Sequence, residues 1–85
     1  MFYVYILQSS VDNELYIGCT QSIDTRVKRH NLGHVKSTRH RRPLKLTYSE
    51  AYMDKYEAFR KERLYKTAKG KRILLQKIEA PSSSG

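Results

Sequence analysis

Apolar residues occupy both alternating sets of positions in the first segment of the chain, Phe2 to Gln8. Successive side chains of a strand point to opposite faces, so this segment would be apolar on both faces. One set consists of Phe2, Val4 and Ile6, and the other of Tyr3, Tyr5 and Leu7. A strand with two apolar faces is typical of the middle of a sheet that is covered on both sides. The pattern therefore predicts a central strand.

Two further strands are predicted on either side of a helical region. Residues 9–13 are polar and have turn chemistry, and strand-like residues resume from Leu15 to Cys19, which indicates a hairpin. After Pro43, apolar residues alternate with polar ones through Tyr48. This alternation predicts an edge strand with one face in water, on which Leu44, Leu46 and Tyr48 share the buried face.

Helix-capping residues mark two helices. Ser22 is suited to cap a first helix, which we expect to end near Gly33. Asp54 is suited to cap a second helix. Its expected inward positions are Tyr56, Phe59 and either Leu64 or Tyr65.

The segment Lys69-Gly70-Lys71 is expected to interrupt helical structure before a last amphipathic helix containing Leu74. The order β-β-α-β-α-α then predicts an α+β domain, with a three-stranded antiparallel sheet packed against helices. We expect one domain over residues 1–80, because 85 residues leave no room for a second core. Residues 81–85 lack periodicity and are expected to be a disordered tail.

The chain is strongly basic, with 17 lysines and arginines against 8 acidic residues and a formal net charge of +9. Such a charge attracts polyanions, and we expect the partner to be nucleic acid, with a solvated basic surface as the plainer alternative. No apolar run is long enough to span a bilayer, so no membrane partner is expected. The first residues do not resemble a signal peptide, and we therefore expect a cytoplasmic protein. The pattern does not indicate an oligomeric state.

Cys19 is the single cysteine, which excludes an internal disulfide and any metal site built on several thiolates. We expect it to be a small, buried apolar residue rather than a nucleophile.

Two tyrosine-containing motifs give the chain a family resemblance. They are Tyr3-Val4-Tyr5, in which a leading glycine is replaced, and Tyr16-Ile17-Gly18. Together with Arg26-Val27-Lys28-Arg29-His30 and the segment from Glu57 to Glu62, they make the chain similar to GIY-YIG endonuclease domains from Tyr3 to about Lys66. The small stand-alone bacterial members, related to the nuclease domain of the excision-repair endonuclease, are the most similar group. The resemblance implies a divalent-metal-dependent endonuclease acting on DNA, of the kind used in repair or recombination.

The resemblance also implies the roles of individual residues. It assigns catalysis to Tyr5, Tyr16, Arg26 and His30. Without it, Arg26 and His30 would simply share one face of a basic helix, since they are four residues apart. His30 would serve as a general acid or base or as a phosphate contact. Tyr16 would contact the attacking water or the phosphate, whereas Tyr5 would have a supporting or base role.

Glu62 is the candidate ligand for Mg²⁺ or Mn²⁺, hard cations that often take only one or two protein carboxylates. Periodicity alone favours an ion pair with Lys66 equally, because the two residues are four positions apart on a helix. The resemblance tips the balance toward the metal. Gly18 is expected to allow a close approach of backbone or ligand, or else to mark a bulge.

The densest cationic stretch follows the helix that carries Arg26 and is predicted to contact the phosphate backbone. Together with Arg29 of the preceding helix, the predicted contacts are Lys36, Arg39, Arg41, Arg42 and Lys45. Two other functions remain open: a nucleic-acid-binding module without useful catalysis, and a basic protein-interaction domain whose tyrosines only pack the core. The replaced glycine, and the lack of any asparagine after Asn31, leave room for weak activity.

Overall fold

The predicted α+β class and element order are confirmed by a computed structural model, which describes residues 1–79. Two strands, one helix, a third strand and two further helices follow one another. They are β1 (Phe2–Ser9), β2 (Leu15–Thr20), α1 (Ile23–Asn31), β3 (Leu44–Tyr52), α2 (Lys55–Tyr65) and α3 (Ala68–Glu79). A short 3-10 helix, Arg39–Arg41, lies in the connection before β3. The predicted tail, residues 81–85, lies outside the described residues.

The strand with two apolar faces is indeed the central one. The sheet order is β2-β1-β3, and both pairings are antiparallel. On one face, Val4 and Ile6 pack with buried residues of α2 and α3. On the other face, Tyr5 and Leu7 pack beneath α1. The helices therefore enclose β1 from both sides, and β3 is an edge strand as predicted.

A bulge in β3 overturns the prediction that Leu44, Leu46 and Tyr48 share one face. Ile6 pairs with Tyr48 whereas Leu7 pairs with Leu46, so Thr47 is an extra residue on β3. One extra residue reverses the alternation of the side chains that follow it. Tyr48 consequently packs on the α2–α3 side of the sheet, while Leu46, 39% exposed, lies on the α1 side.

The inward face of α2 also differs from the prediction. Asp54 caps the helix as expected, since its carboxylate accepts a hydrogen bond from the Tyr56 amide at 3.1 Å. Tyr56 and Phe59 are nevertheless exposed, and the fully buried residues are Ala58 and Tyr65. Tyr65, one of the two alternatives predicted at that position, is therefore confirmed as inward, whereas Ala58 occupies the inner side in place of Tyr56 and Phe59.

The junction between α2 and α3 falls before Gly70, not at it. The Thr67 hydroxyl accepts a hydrogen bond from the Gly70 amide, and the Thr67 carbonyl accepts one from Lys71, so Thr67 caps α3. Gly70 lies inside the helix and is buried. A Cβ atom at this position would overlap the backbone carbonyl of Leu64. Gly70 is therefore needed for the tight packing of the two helices, and its prediction as a helix break is wrong.

A partly buried carboxylate links α3 to the sheet. Glu50 accepts hydrogen bonds from the hydroxyls of Tyr48 at 2.6 Å, Tyr52 at 2.5 Å and Tyr65 at 2.8–2.9 Å. Lys77 of α3 lies 2.8 Å from the same carboxylate. Tyr48 and Tyr52 thus pack against the core while their hydroxyls are satisfied by Glu50.

The helix α1 is fixed against the sheet at its end. The side-chain amide of Asn31 makes two hydrogen bonds to the first residue of β3: it donates one to the Leu44 carbonyl at 2.9 Å and accepts one from the Leu44 amide at 2.7 Å. The chain then turns at Gly33, whose φ of 84° explains why the helix ends there. Ser22 occupies the N-cap position, but its hydroxyl contacts Thr25 rather than the helix backbone. These contacts determine where the inner face of α1 meets the sheet.

Candidate active site

Three aromatic rings from three different elements meet on the α1 side of the sheet. The hydroxyl of Tyr5 on β1 lies 3.0 Å from Nε2 of His30 on α1. The ring of Tyr16 on β2 packs edge-on against the His30 ring, with 4.8 Å between centroids. Tyr5 and His30 have no exposed surface, whereas Tyr16 is half-buried. Tyr16 is therefore the member of this cluster that a bound molecule would meet.

Gly18 allows the Tyr5 side chain to take this position. The two residues are paired across β1 and β2, and the pairing runs without a shift from Tyr3–Thr20 to Gln8–Leu15. A Cβ atom on Gly18 would lie 2.5 Å from the Tyr5 hydroxyl, well inside contact distance. Of the two explanations that the sequence allowed for this glycine, the structure shows a close approach and no bulge.

Arg26 and Glu62 act electrostatically on the same groups from opposite faces of the sheet. Burial raises the pKa of Tyr5, and so does Tyr16, whereas Arg26 lowers it and Glu62 raises it. Burial also raises the pKa of the Cys19 thiol, with Glu62 adding to the effect and Arg26 opposing it. Arg26 and Glu62 thus both act electrostatically on Tyr5 of β1 and on Cys19 of β2.

The environment of His30 limits what it can do. Burial and the nearby Arg26 both lower the pKa of the imidazole, so the ring is neutral at neutral pH. Because His30 has no exposed surface, a direct phosphate contact, one of the two roles that the sequence allowed, does not fit this structure.

Thr38 is a residue of this cluster that the sequence did not reveal. Its hydroxyl lies 2.8 Å from Nδ1 of His30, and the side chain is fully buried. Thr38 stands among exposed basic residues between α1 and β3, where no apolar periodicity marks a buried position. Only the folding back of this connection against α1 places the hydroxyl next to the histidine.

Glu62 lies on the inward stripe of α2, between Ala58 and Tyr65, and its side chain is 21% exposed. Lys66 lies 3.1 Å from Oε2, so the ion pair expected from the spacing is present. Within residues 1–79, no group of three or more His, Cys, Asp and Glu side chains is arranged to hold a metal ion. A single, partly exposed carboxylate fits Mg²⁺ or Mn²⁺, which retain water ligands, and does not fit a closed zinc site.

The predicted phosphate contacts are not equivalent in the structure. Five of them are exposed, namely Arg29, Lys36, Arg39, Arg42 and Lys45. Arg41 instead lies 3.6 Å from Asp12 of the β1–β2 turn. Arg42 donates from Nε to the Arg39 carbonyl at 2.9 Å and covers Gly33. Arg29, Lys36, Arg39 and Lys45 are thus better placed to bind a phosphate backbone than Arg41 and Arg42, whose guanidinium groups already make contacts within the chain.

No helix in the described part of the chain has the length and apolar character needed to cross a membrane.

Comparison with known proteins agrees with this geometry. Residues 1–77 match the family model of the GIY-YIG catalytic domain. A UPF0213 protein of Streptococcus agalactiae is 48% identical over 65 residues, covering 75% of this chain and 73% of that protein. A UPF0213 protein of Staphylococcus haemolyticus is 44% identical over 66 residues, covering 76% and 79%.

A solved structure shows the same fold. The solution NMR structure of a UPF0213 protein from Bacillus halodurans superimposes with a TM-score of 0.59 at 36% identity, covering 96% of this chain and 90% of the other.

Proposed function

The chain belongs to the GIY-YIG catalytic domain family, and on that premise we propose that it is an endonuclease that hydrolyses phosphodiester bonds in DNA with a divalent metal ion. The convergence of Tyr5, Tyr16, Arg26, His30 and Glu62 around one edge of the sheet carries this proposal. The net charge of +9 supports a polyanionic substrate. Repair and recombination intermediates are the DNA structures to test first, since the family resemblance includes the excision-repair endonuclease.

Hydrolysis requires a water to lose a proton as it attacks phosphorus, and the leaving oxygen to gain one as its bond to phosphorus breaks. Tyr16 is the tyrosine with surface available to contact the water or the scissile phosphate. Tyr5 stays protonated at neutral pH, because burial raises its pKa. It therefore supports the site as a hydrogen-bonding group against His30, and the base role that the sequence left open for it is disfavoured.

Arg26 supplies fixed positive charge next to this cluster. A guanidinium binds phosphate oxygens bidentately and remains charged throughout the reaction. The proposal for Arg26 is supported by its effect on the cluster, since its charge lowers the pKa of both Tyr5 and His30. We assign it to stabilising the negative charge that grows on the phosphate in the transition state.

Glu62 is the residue that would hold the metal ion. When bound, Mg²⁺ or Mn²⁺ would neutralise phosphate charge and polarise the bond that breaks. Lys66 already contacts Oε2, so the lysine would have to release that oxygen or leave the ion to Oε1. A partly exposed lysine is easily displaced, because an exposed ion pair contributes only about 0–1 kcal/mol.

The proposal is tested with labelled single-stranded, duplex, flapped and branched DNA, and matched RNA, in Mg²⁺, Mn²⁺ or chelator. Arg26→Ala and Glu62→Gln are compared with Lys28→Ala and Glu57→Gln, which remove the same charges from the same helices. We expect metal-dependent cleavage that falls roughly 10²- to 10³-fold in the first pair and stays within a few-fold in the controls. Circular dichroism confirms that each variant is folded.

Each alternative outcome has a definite meaning. Salt-sensitive binding without cleavage on any substrate would identify a nucleic-acid-binding module. If the protein binds nucleic acid no more tightly than heparin, an unrelated polyanion, the result would favour a basic protein-interaction domain. Cleavage that is unaffected by Glu62→Gln would remove Glu62 from the metal site.

A further inference from the structure

One face of α2 carries two aromatic side chains on the surface. Tyr56 is 62% exposed and Phe59 is 43% exposed. Neither belongs to the hydrophobic core clusters of the described residues, since Ala58 and Tyr65 fill the inner side of the helix. Large apolar side chains that lie together on a surface are typical of a binding site. Packing within the chain therefore does not explain these two rings.

Two arginines lie on the same face of the helix. Phe59, Arg60 and Arg63 follow Tyr56 by three, four and seven positions, a spacing that aligns side chains along one side of a helix. Arg60 and Arg63 are exposed, and within residues 1–79 neither forms an ion pair. In addition, Nζ of Lys55 lies 5.4 Å from the centroid of the Tyr56 ring. The aromatic face, defined by Tyr56, Phe59, Arg60 and Arg63, is therefore also cationic.

The two kinds of side chain match the two parts of an unpaired nucleotide. Aromatic rings stack on the faces of exposed bases, and cationic side chains bind the phosphates between them. The bases of a duplex already stack on one another, so only unpaired bases are free to use the rings. Glu57, the exposed acidic residue of α2, lies about 100° around the helix from Tyr56 and is not part of the aromatic face.

The aromatic face borders the candidate metal ligand. Phe59 precedes Glu62 by three positions, so the two side chains are neighbours on the helix surface, with about 5–6 Å between their Cβ atoms. A nucleotide whose base stacks on Phe59 would therefore have its phosphate close to Glu62. Exposed aromatic and arginine side chains also occur where proteins bind one another, but the nearby Glu62 and the net charge of +9 favour nucleic acid as the partner.

We propose that the aromatic face of α2 binds unpaired nucleotides beside the bond to be cleaved, so that the substrate is DNA with a single-stranded segment. Tyr56 and Phe59 stack on bases, and Arg60 and Arg63 contact phosphates. The position of the cleaved bond rests on the proposed nuclease function, whereas the binding of unpaired bases does not depend on cleavage.

Two oligonucleotides separate stacking from charge. One is a labelled single strand of mixed sequence, and the other has the same number of phosphates but abasic sugars throughout. Binding to the full chain is followed by fluorescence anisotropy in chelator, so that no strand is cut. We expect the parent to bind the strand with bases at least about fivefold more tightly. Equal affinity for the two strands would overturn the proposal.

Variants of the two aromatic residues identify the surface that contacts the bases. Tyr56→Leu and Phe59→Leu keep an apolar side chain but remove the ring, and should lower the preference for the strand with bases while leaving the affinity for the abasic strand unchanged. Tyr56→Phe and Phe59→Tyr keep the ring and should keep the preference. Val11→Ala, at an exposed apolar residue of the β1–β2 turn, is the control. Leucine variants that retain the parental preference, or that lose affinity for both strands equally, would exclude stacking on α2.

Cleavage provides a second measurement. If the chain cleaves DNA as proposed, it should cut single-stranded and flapped DNA faster than a blunt duplex, and Phe59→Leu should reduce this difference. Equal cleavage of duplex and flapped DNA would contradict the proposed substrate. A parent that cleaves no DNA would refute the nuclease function, and the two-strand binding test would still decide whether the aromatic face binds unpaired bases.

Discussion

Replacing Glu50 with glutamine is expected to destabilise the fold by about 2–4 kcal/mol, even though Glu50 lies outside the candidate active site. Glu50 is paired with Val4 across the sheet and is 13% exposed at its side chain. It binds hydroxyls from β3 and α2 and the ammonium group of Lys77 on α3. The carboxylate therefore links three elements of the fold, and glutamine preserves its shape but not its charge.

The magnitude follows from the contacts that glutamine cannot make. A hydrogen bond to a charged group contributes about 1.5–3 kcal/mol, roughly twice a neutral one, so neutralising the acceptor weakens all three tyrosine contacts. The glutamine NH₂ group also faces hydroxyls that were donors, which leaves at least one polar group poorly paired, at about 1–3 kcal/mol. The Lys77 pair adds little, because the lysine side chain is 39% exposed.

Urea denaturation followed by circular dichroism measures this effect. Glu57→Gln is the control: it removes a charge from the exposed side of α2 and should change stability by less than about 0.5 kcal/mol. The midpoint of thermal unfolding should fall by about 4–8 °C per kcal/mol for a chain of this size. Equal stability of the Glu50→Gln protein and the parent would show that the charged cluster does not stabilise the fold.

The pH dependence provides an independent check. Burial alone would raise the pKa of Glu50, but hydrogen bonds from Lys77 and the three tyrosines lower it to about 2 in the folded protein. Between the ordinary value of 4.5 and about 2, the unfolded chain binds more protons than the folded one, so the parent loses stability as the pH falls through this range. Glu50→Gln lacks this titration, and the difference between the two proteins should shrink there. A constant difference from pH 6 to pH 2 would be inconsistent with the charged cluster.

Three further predictions concern the glycines and the basic surface. Gly18→Ala should destabilise the fold by about 1–3 kcal/mol, because the new Cβ displaces the Tyr5 hydroxyl, and an unchanged thermal midpoint would contradict this. If the chain cleaves DNA as proposed, the cleavage rate should fall as well. Gly70→Ala should also destabilise the fold by about 1–3 kcal/mol, because the new Cβ overlaps the Leu64 carbonyl. Alanine usually stabilises a helix relative to glycine, so the sign of the change in urea denaturation tests this contact. Lys36→Ala and Arg39→Ala should each reduce the slope of log K against log salt for DNA binding by the equivalent of about one phosphate contact, and Arg41→Ala by less, because Arg41 lies beside Asp12. Equal slopes for all three variants would exclude Lys36 and Arg39 as phosphate contacts.

The sequence predicted the fold best where a pattern or a residue has a single structural explanation. The two apolar faces of β1 predicted a central strand because no other arrangement buries both, and Asp54 predicted the start of α2 because its carboxylate satisfies a free amide. The bulge at Thr47 was not predictable, since the alternating pattern continues through it and only the pairing with β1 reveals the extra residue. Ala58 gave no signal either, because a small residue marks close packing only once a neighbour is known.

For the candidate site, the motifs predicted which residues take part but not how deeply each of them is buried. Tyr5 and Tyr16 look alike in sequence, yet one is buried and the other reaches the surface. That difference depends on Gly18 and on the docking of α1, both of which are tertiary effects. Thr38 was missed because only the folding back of its connection against α1 places the hydroxyl next to His30. Glu50, which lies outside the site, was missed because Tyr65 and Lys77 reach it from later helices.

The candidate residues are carried by helices on both faces of the narrow sheet, which is how such a small domain brings their charges close to the same strands. The helix α1, which carries Arg26 and His30, packs on one face of the sheet, and α2, which carries Glu62, packs on the other. A three-stranded sheet is so narrow that charges on both faces act on Tyr5 and on Cys19 of the edge strand β2. Electrostatic coupling across β2 should therefore be measurable: Glu62→Gln should lower the pKa of Cys19, and Arg26→Ala should raise it. Thiol alkylation followed against pH measures both shifts, and shifts in the same direction would show that the two charges do not meet at this edge.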